Sequence, residues 1–215
     1  ALAYVDMVGE PRPGDEVLLN ASALVKGLGT GGLAFVVAVP ERLPEDVCGP
    51  GHIVKARYTP QQQMFLAIDE QDSPHHGILA GREGEEPTLE GLPVVVADLH
   101  SALPAVLAGL RVERPGARVV YVMTDGGALP LAFSRTVAGL RDAGWLASTV
   151  TVGQAFGGDH EAVTVHSALL AARHVLDADV VVVGQGPGNV GTGTPWGFTG
   201  VAAGEALNAA GILGG

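Results

Sequence analysis

Four apolar runs in the second half of the chain constrain its fold more than any other feature. Their continuous hydrophobicity is typical of strands that are buried on both faces of a sheet. Helix-length segments separate the runs and follow the last one. This alternation predicts an α/β, Rossmann-like domain of three layers, with a mostly parallel sheet between two layers of helices. The runs are LPVVVADL, RVVYVMTD, ASTVTVGQ and ADVVVVGQ.

The first part of the chain has a different pattern. Short β runs, beginning with ALAYVDM, are separated by turns rich in glycine and proline. They predict a small β-rich, barrel-like region over 1–58. Residues 59–91 are interpreted as a connecting segment and polar loop, and 92–215 as the parallel α/β domain. Both ends of the sequence look cut, so we expect further sequence beyond either end.

Charge and cysteine content narrow the range of partners. A net charge of -11 argues against nucleic acid and anionic membranes. It leaves room for a small anionic ligand, since backbone N–H groups can bind an anion without lysine. The single cysteine excludes an intrachain disulfide and fits a cytoplasmic protein. The charged fraction of 16% is low and suggests surface covered in a homo-oligomer.

The carboxyl ends of the predicted strands are the expected place for a site. Ligands of open parallel sheets bind there, where the loops converge. Four polar, glycine-containing loops follow the runs. They are DLHSALP from Asp98, TDGGALP from Thr124, AFGGDHEAV from Ala155 and GPGNVGTGTPWGFTG from Gly186.

Four side chains in these loops predict a metal-assisted active site. Asp98 and His100 are two residues apart at a strand end, so both are expected on one side. With Asp125 they form a candidate shell for Mg²⁺ or Mn²⁺, and Asp159 is a further candidate catalytic residue. The alternative interpretation is that Ser101, Asp125 and Asp159 cap helices, for which these residue types are preferred.

The last loop resembles a dinucleotide motif but lacks its context. Gly186–Gly191 fits the pattern G-x-G-x-x-G, yet Pro195 follows closely and opposes the helix that the motif requires. Gly27–Gly32 fits the same pattern inside the β-rich region. No P-loop lysine follows either match. Neither NAD nor ATP is therefore expected.

A weaker prediction remains for the glycine-rich loop. Its backbone N–H groups and threonine hydroxyls form a donor-rich segment that suits phosphate, carboxylate or a sugar. The alternative is a structural loop packed at a subunit interface. The predicted ligand-binding residues are Ser101, Thr124, Gly126, Gly127, Gly186, Gly188, Asn189, Gly191, Thr192, Gly193 and Thr194.

The remaining histidines and the cysteine give weaker patterns. His160 and His166 are six residues apart, whereas zinc proteases need a spacing of four. The His75–His76 pair is predicted in a solvated loop that could close over a site. A thiolate dyad of Cys48 and His52 is a further possibility, but nothing in the sequence lowers the pKa of the thiol.

Several phrases together resemble a bacterial domain-of-unknown-function family, number 3866. They are RYTPQQQ, DSPHH, DLHSALPAV, VMTDGGALPLAFSR, AFGGDHEAV and GPGNVGTGTPWGFTG followed by GEALN. The resemblance covers nearly the whole chain. It implies no activity and no catalytic residues, and it implies a further His-rich segment beyond this C-terminus.

Two functional hypotheses follow. In the first, the protein binds a small anionic metabolite, phosphorylated in one version, and acts as a metal-assisted hydrolase or transferase. In the second, it is a non-catalytic ligand sensor or oligomeric assembly module whose glycine-rich loop is structural.

Overall fold

The computed structural model describes residues 1–45, 50–81, 86–127 and 129–215. Backbone contacts divide the chain into two units. The small unit comprises Ala1–Cys48 and Thr59–Gln63, and the large unit comprises Gly49–Tyr58 and Met64–Gly215.

The small unit contains one pair of antiparallel strands and two single-turn helices. The elements are α1 (Val5–Val8), β1 (Leu18–Asn20), α2 (Ser22–Val25) and β2 (Phe35–Ala38). Strands β1 and β2 pair with an irregularity at Leu18/Leu19. The predicted strand ALAYVDM is wrong in its second half, where the chain turns into α1 and leaves the helical conformation at Gly9, with φ of 78°.

The large unit contains the predicted α/β domain, preceded by a short strand pair. Its elements are β3 (Ile53–Lys55), β4 (Gln63–Phe65, whose first residue belongs to the small unit), α3 (His76–Leu79), β5 (Val94–Ala97), α4 (Leu103–Glu113), β6 (Val119–Thr124), α5 (Arg135–Asp142), β7 (Ser148–Val152), β8 (His160–Ala162), α6 (Val165–His174), β9 (Val180–Gln185) and α7 (Ala203–Ile212). None of the described helices is long and apolar enough to cross a membrane.

The main sheet has five parallel strands in the order β5-β9-β6-β7-β8. Helices α4 and α5 pack on one face, and α6 and α7 on the other. The prediction of a parallel α/β sheet between two layers of helices is therefore confirmed. Strand β8 lies in the segment AFGGDHEAV, for which the sequence predicted a loop. The strand was missed because three residues that include His160 and Glu161 do not form a recognisable apolar run.

The helices use other capping residues than those expected from the sequence. Ser134 accepts a hydrogen bond from the N–H of Val137 at the start of α5. Thr164 and Ser167 form a capping box at the start of α6. The capping interpretation of Ser101, Asp125 and Asp159 is therefore wrong. Helix α4 follows a 3₁₀ turn, His100–Ala102, and has no side-chain cap.

A buried ion pair attaches β3 to the edge of the main sheet. The Lys55 side chain has no solvent exposure, and its Nζ lies 3.4 Å from Glu161 Oε2 in β8. Nζ also donates hydrogen bonds to the carbonyl groups of Gly153, at 2.6 Å, and Ala155, at 3.0 Å. All three ammonium hydrogens can therefore be used, as a buried charge requires.

The carboxylate of Glu161 is bonded on both oxygens. Thr151 Oγ1 donates to Oε2 at 2.8 Å, and the N–H of Gly157 donates to Oε1 at 2.6 Å. Burial lowers the pKa of Lys55 and raises the pKa of Glu161. Because desolvation opposes the charged form of each group, the pair depends on these surrounding hydrogen bonds.

Replacing Lys55 with Met should lower the free energy of unfolding by about 3–5 kcal/mol, because the Glu161 carboxylate is then buried without its cation. The double variant Lys55→Met/Glu161→Gln should recover part of this loss. Urea unfolding of the wild type, both single variants and the double variant measures the coupling. Additive losses would contradict the importance of the pair.

Candidate functional site

A pocket lies at the carboxyl ends of the neighbouring strands β5, β9 and β6. Its polar wall consists of Asp98, Thr124, Gln185 and Thr199. The chain leaves β5 and β6 toward α4 and α5 on one face, but leaves β9 toward α7 on the other. Connections that diverge in this way open a crevice between strands, where open parallel sheets bind ligands. The predicted edge therefore carries a pocket, and two of the predicted residues, Asp98 and Thr124, line it.

Gln185 is the most constrained polar residue of this wall. It is the last residue of β9 and only 5% exposed. Its Nε2 donates to the backbone carbonyl of Asp98 at 2.8 Å. No described residue donates a hydrogen bond to its buried Oε1. A Cβ atom on Gly126 would stand 2.3 Å from this oxygen, so the close approach of Gln185 requires glycine there.

The other polar groups of the pocket are less buried. Asp98 is exposed, and its backbone carbonyl also accepts a hydrogen bond from Asn189 Nδ2 at 3.4 Å. Thr124 and Thr199 are half-buried. The pocket has a volume of about 10 Å³, which is room for roughly one water molecule or one group of that size.

His100 does not lie in the pocket but behind it, and both of its ring nitrogens have protein partners. Nε2 lies 2.7 Å from Ser134 Oγ, and Nδ1 lies 3.1 Å from Tyr121 Oη and 3.2 Å from the Gln185 carbonyl oxygen. The ring is 8% exposed, and burial lowers its pKa. Both ring nitrogens of His100 are therefore engaged by protein groups in this structure, and its role as a metal ligand or catalytic residue stays a prediction.

Two of the predicted carboxylates, Asp125 and Asp159, do not lie together. Asp125 Oδ2 accepts from the N–H of Gln154 at 3.2 Å and lies against Gly153, whose φ of 62° and contact with the carboxylate leave no space for a side chain. Asp159 stands at the opposite edge of the sheet, beside Thr149 at the start of β7. The two aspartates therefore belong to different ends of the strands.

Both carboxylate oxygens of Asp159 have protein partners. Its Oδ2 accepts hydrogen bonds from the N–H and Oγ1 of Thr149, and its Oδ1 lies 2.6 Å from Arg141. Burial raises its pKa, but the bonds from Arg141 and Thr149 outweigh that effect and lower it. Among the described residues, no three His, Cys, Asp or Glu side chains come together to hold a metal. The predicted shell of Asp98, His100 and Asp125 is therefore not formed.

The glycine-rich loop folds into a hairpin in which several of its own polar groups bond to one another. The N–H of Thr192 donates to the Gly197 carbonyl at 2.7 Å, and the N–H of Gly197 donates to Thr194 Oγ1 at 3.1 Å. The hydroxyls of Thr192 and Thr194 lie 3.0 Å apart. At the base, Thr199 Oγ1 accepts from the N–H of Val190. The two tip threonines thus bond within the hairpin and do not form an open cradle.

The other predicted ligand-binding residues are dispersed along the edge. Ser101 is exposed in the 3₁₀ turn before α4. Gly127 packs against Leu129, and Gly186 against Leu129 and Met123. Gly188 and Gly193 have positive φ, and Gly191 forms a β-bridge with Phe198. These glycines therefore have conformational or packing roles in the described structure.

Sequence reasoning missed Gln185, Ser134 and Lys55. Gln185 had a usable signal, since it is the polar residue that ends an apolar run at the predicted edge. Ser134 and Lys55 had none, because their partners are distant in sequence. The proposed dyad of Cys48 and His52 includes Cys48, which lies outside the described residues. His52 itself pairs through Nδ1 with the buried carboxylate of Glu70.

Comparison with known proteins identifies a family. The model of a family described as "Protein of unknown function (DUF3866)" matches residues 1–215, the whole length of the sequence. Neither the search of curated proteins nor the search of solved structures found a match.

Replacing His100 with Asn should lower the free energy of unfolding at neutral pH by about 2–3 kcal/mol, because buried partners lose their hydrogen bonds. The pKa of His100 is lowered from 6.5 in the folded state, so below that pH the unfolded state binds more protons. Wild-type stability should therefore fall as the pH drops below 6.5, and the variant should lack this contribution.

Urea unfolding at about pH 7.5 and about pH 5.5 measures both effects. The matched control is His166→Asn, which replaces an exposed histidine of α6. If the His100 and His166 variants have the same stability and the same pH dependence, the buried network is not significant.

Proposed function

We propose that this chain, which belongs to the DUF3866 family, binds a small metabolite through the hydroxyl or amino groups of that metabolite. The description of the family names no activity. The proposed place is the pocket of Asp98, Thr124, Gln185 and Thr199. The observation that carries the proposal is the buried Gln185 Oε1, to which no described residue donates a hydrogen bond.

An acceptor without a donor has an energetic cost that a ligand can remove. A buried polar group left without a partner costs about 1–3 kcal/mol, and such groups are uncommon in folded proteins. The bond from Gln185 Nε2 to the Asp98 carbonyl fixes which end of the amide remains to be paired. Glycine at 126 keeps the space beside Oε1 free of a side chain. A donor on a ligand is therefore the partner that this wall favours.

The chemistry of the wall favours a neutral or positively charged donor group. The Asp98 carboxylate and Gln185 Oε1 accept hydrogen bonds, and both repel an anion. The pocket volume of about 10 Å³ suits one hydroxyl or ammonium group. A phosphate, if the ligand carries one as the sequence led us to expect, would have to lie outside this pocket. The ligand that we propose is therefore a sugar-like or amine-bearing metabolite.

The proposal includes binding but no chemical step. The metal-assisted hydrolase or transferase expected from the sequence depended on Asp98, His100, Asp125 and Asp159 acting together. His100 is enclosed by partners, and Asp159 is bonded to Thr149 at the other edge of the sheet. The described part of the chain offers no third ligand beside any pair of candidate metal-binding side chains.

Exposed apolar side chains support a second candidate function, a homo-oligomeric assembly. Trp196 is 83% exposed near the tip of the hairpin, and Ile212 is 79% exposed at the end of α7. Val190 and Leu207 are also exposed. A low charged fraction of 16% accompanies these side chains. Interfaces between subunits are enriched in aromatic side chains and depleted of charged ones.

Wild-type protein should be stabilised against heat by a polyol or amine in a panel of glycerol, ribose, glucose and ethanolamine. The corresponding phosphate esters form the comparison arm, and they should bind no better if the pocket receives the hydroxyl end. Gln185→Leu and Gly126→Ala should each weaken binding roughly tenfold, because each removes or displaces the acceptor. Thermal shift followed by titration calorimetry gives the affinities.

Gln62→Leu is the matched control, since it makes the same change at an exposed position of the small unit. Its ligand affinity should equal that of the wild type. The proposal fails if Gln185→Leu binds as the wild type does, or if no member of the panel shifts the melting temperature.

For the assembly candidate, Trp196→Ser should reduce the mass measured by light scattering, because it removes a large apolar contact. Leu43→Ser is the control, at another exposed apolar position in the small unit. An unchanged mass in Trp196→Ser, or a monomeric wild type, would count against an interface at this hairpin.

A further inference from the structure

A second pocket lies along β8, on the side of the edge strand away from β7. It has a volume of about 340 Å³. The segment from Phe65 to Ile68 forms one wall, and the loop with Ser73 and His75 forms another. Asp159 and His160, at the start of β8, complete it. This pocket is much larger than the one at the carboxyl edge and shares no residue with it.

The loop that carries His75 is held in a defined conformation. The hydroxyl of buried Ser73 donates to the Ile68 carbonyl at 2.6 Å and accepts from the N–H of His75 at 3.2 Å. Ile68 in turn donates its N–H to the carbonyl of Glu161 in β8 at 2.8 Å. A short series of hydrogen bonds therefore fixes the backbone of His75 relative to the edge strand.

His160 is fixed from the other side by the sheet. It pairs with Val150 of β7 in the parallel register, and the next residue, Glu161, makes the buried ion pair with Lys55. The ring centres of His75 and His160 are 6.4 Å apart, with their planes at 78°. Both rings are half-buried, and no hydrogen bond joins either ring to another described side chain or backbone group.

We propose that His75 and His160 together bind a divalent transition metal ion such as Zn²⁺, Ni²⁺ or Cu²⁺. Imidazole nitrogen suits these ions, and its bond to zinc is about 2.0–2.1 Å long. By these bond lengths, two imidazoles on one ion would have ring centres roughly 5 Å apart at the tetrahedral angle, and roughly 6 Å apart on opposite sides of an octahedral or square-planar ion. The observed separation of 6.4 Å is close to the second value.

The remaining coordination positions of this site belong to water or to an added ligand. Asp159 is the nearest carboxylate of the wall, but Arg141 and Thr149 occupy its oxygens. With two protein ligands the site is open and exchangeable, unlike a structural zinc site with four. The size of the pocket leaves room for a second molecule on the metal.

The test uses the whole chain after treatment with a chelator. Calorimetry with Zn²⁺ or Ni²⁺ should show binding of one ion, whereas Mg²⁺, which prefers oxygen ligands, should not bind. His75→Ala and His160→Ala should each weaken Zn²⁺ binding by at least roughly tenfold. His166→Ala removes an exposed histidine elsewhere and should leave the affinity unchanged.

Two further measurements make the result independent of folding defects. Co²⁺ added to the wild type should give visible absorption bands that disappear in His160→Gln, with circular dichroism confirming that the variant is folded. Gln185→Leu should bind Zn²⁺ normally, so this site and the proposed metabolite pocket fail separately. The proposal is overturned if the wild type binds no transition metal, or if the double variant His75→Ala/His160→Ala binds it as the wild type does.

Discussion

The buried ion pair of Lys55 and Glu161 is the interaction on which the edge of the domain depends. Lys55 comes from β3, and it donates to the connection between β7 and β8 as well as to the carboxylate in β8. Because two charges are removed from water here, the surrounding carbonyl, hydroxyl and N–H groups must keep their positions. The same contacts fix the chain at Gly153, which lies against the Asp125 carboxylate, and at Glu161, the residue after His160. The pair therefore connects β3 to the end of β7 and to the short strand β8.

The central sheet could be predicted because its signal is local. Each of the four apolar runs is a strand, and each helix-length segment between them contains a helix. The order of the strands was not specified by the sequence, since β9 inserts between β5 and β6 through contacts distant in sequence. β8 was missed because a three-residue strand with His160 and Glu161 has too little apolar content to be recognised.

The position of a pocket followed from the fold more directly than the availability of its side chains did. Sequence reasoning placed it at the carboxyl edge because that follows from the fold, and the pocket with Asp98 and Thr124 is there. Whether a polar residue is available for a ligand depends on its partners. His100 forms a hydrogen bond with Ser134, which is 34 residues away in the sequence. Ser134 also caps α5, and it could not be recognised as a partner of His100 from the sequence. Asp159 was expected at the carboxyl edge, but it immediately precedes the unpredicted strand β8 and lies beside Thr149 near the start of β7.

The long separation between Lys55 and its partners has a consequence for synthesis of the chain. Nζ of Lys55 bonds to a carbonyl 98 residues further along. At about 5–20 residues per second, a ribosome needs roughly 5–20 s to produce the intervening residues. During that time the lysine must remain hydrated, so β3 can dock only after the later half of the domain has emerged. Strand β3, which is made early, is therefore among the last elements of the large unit to reach its final place.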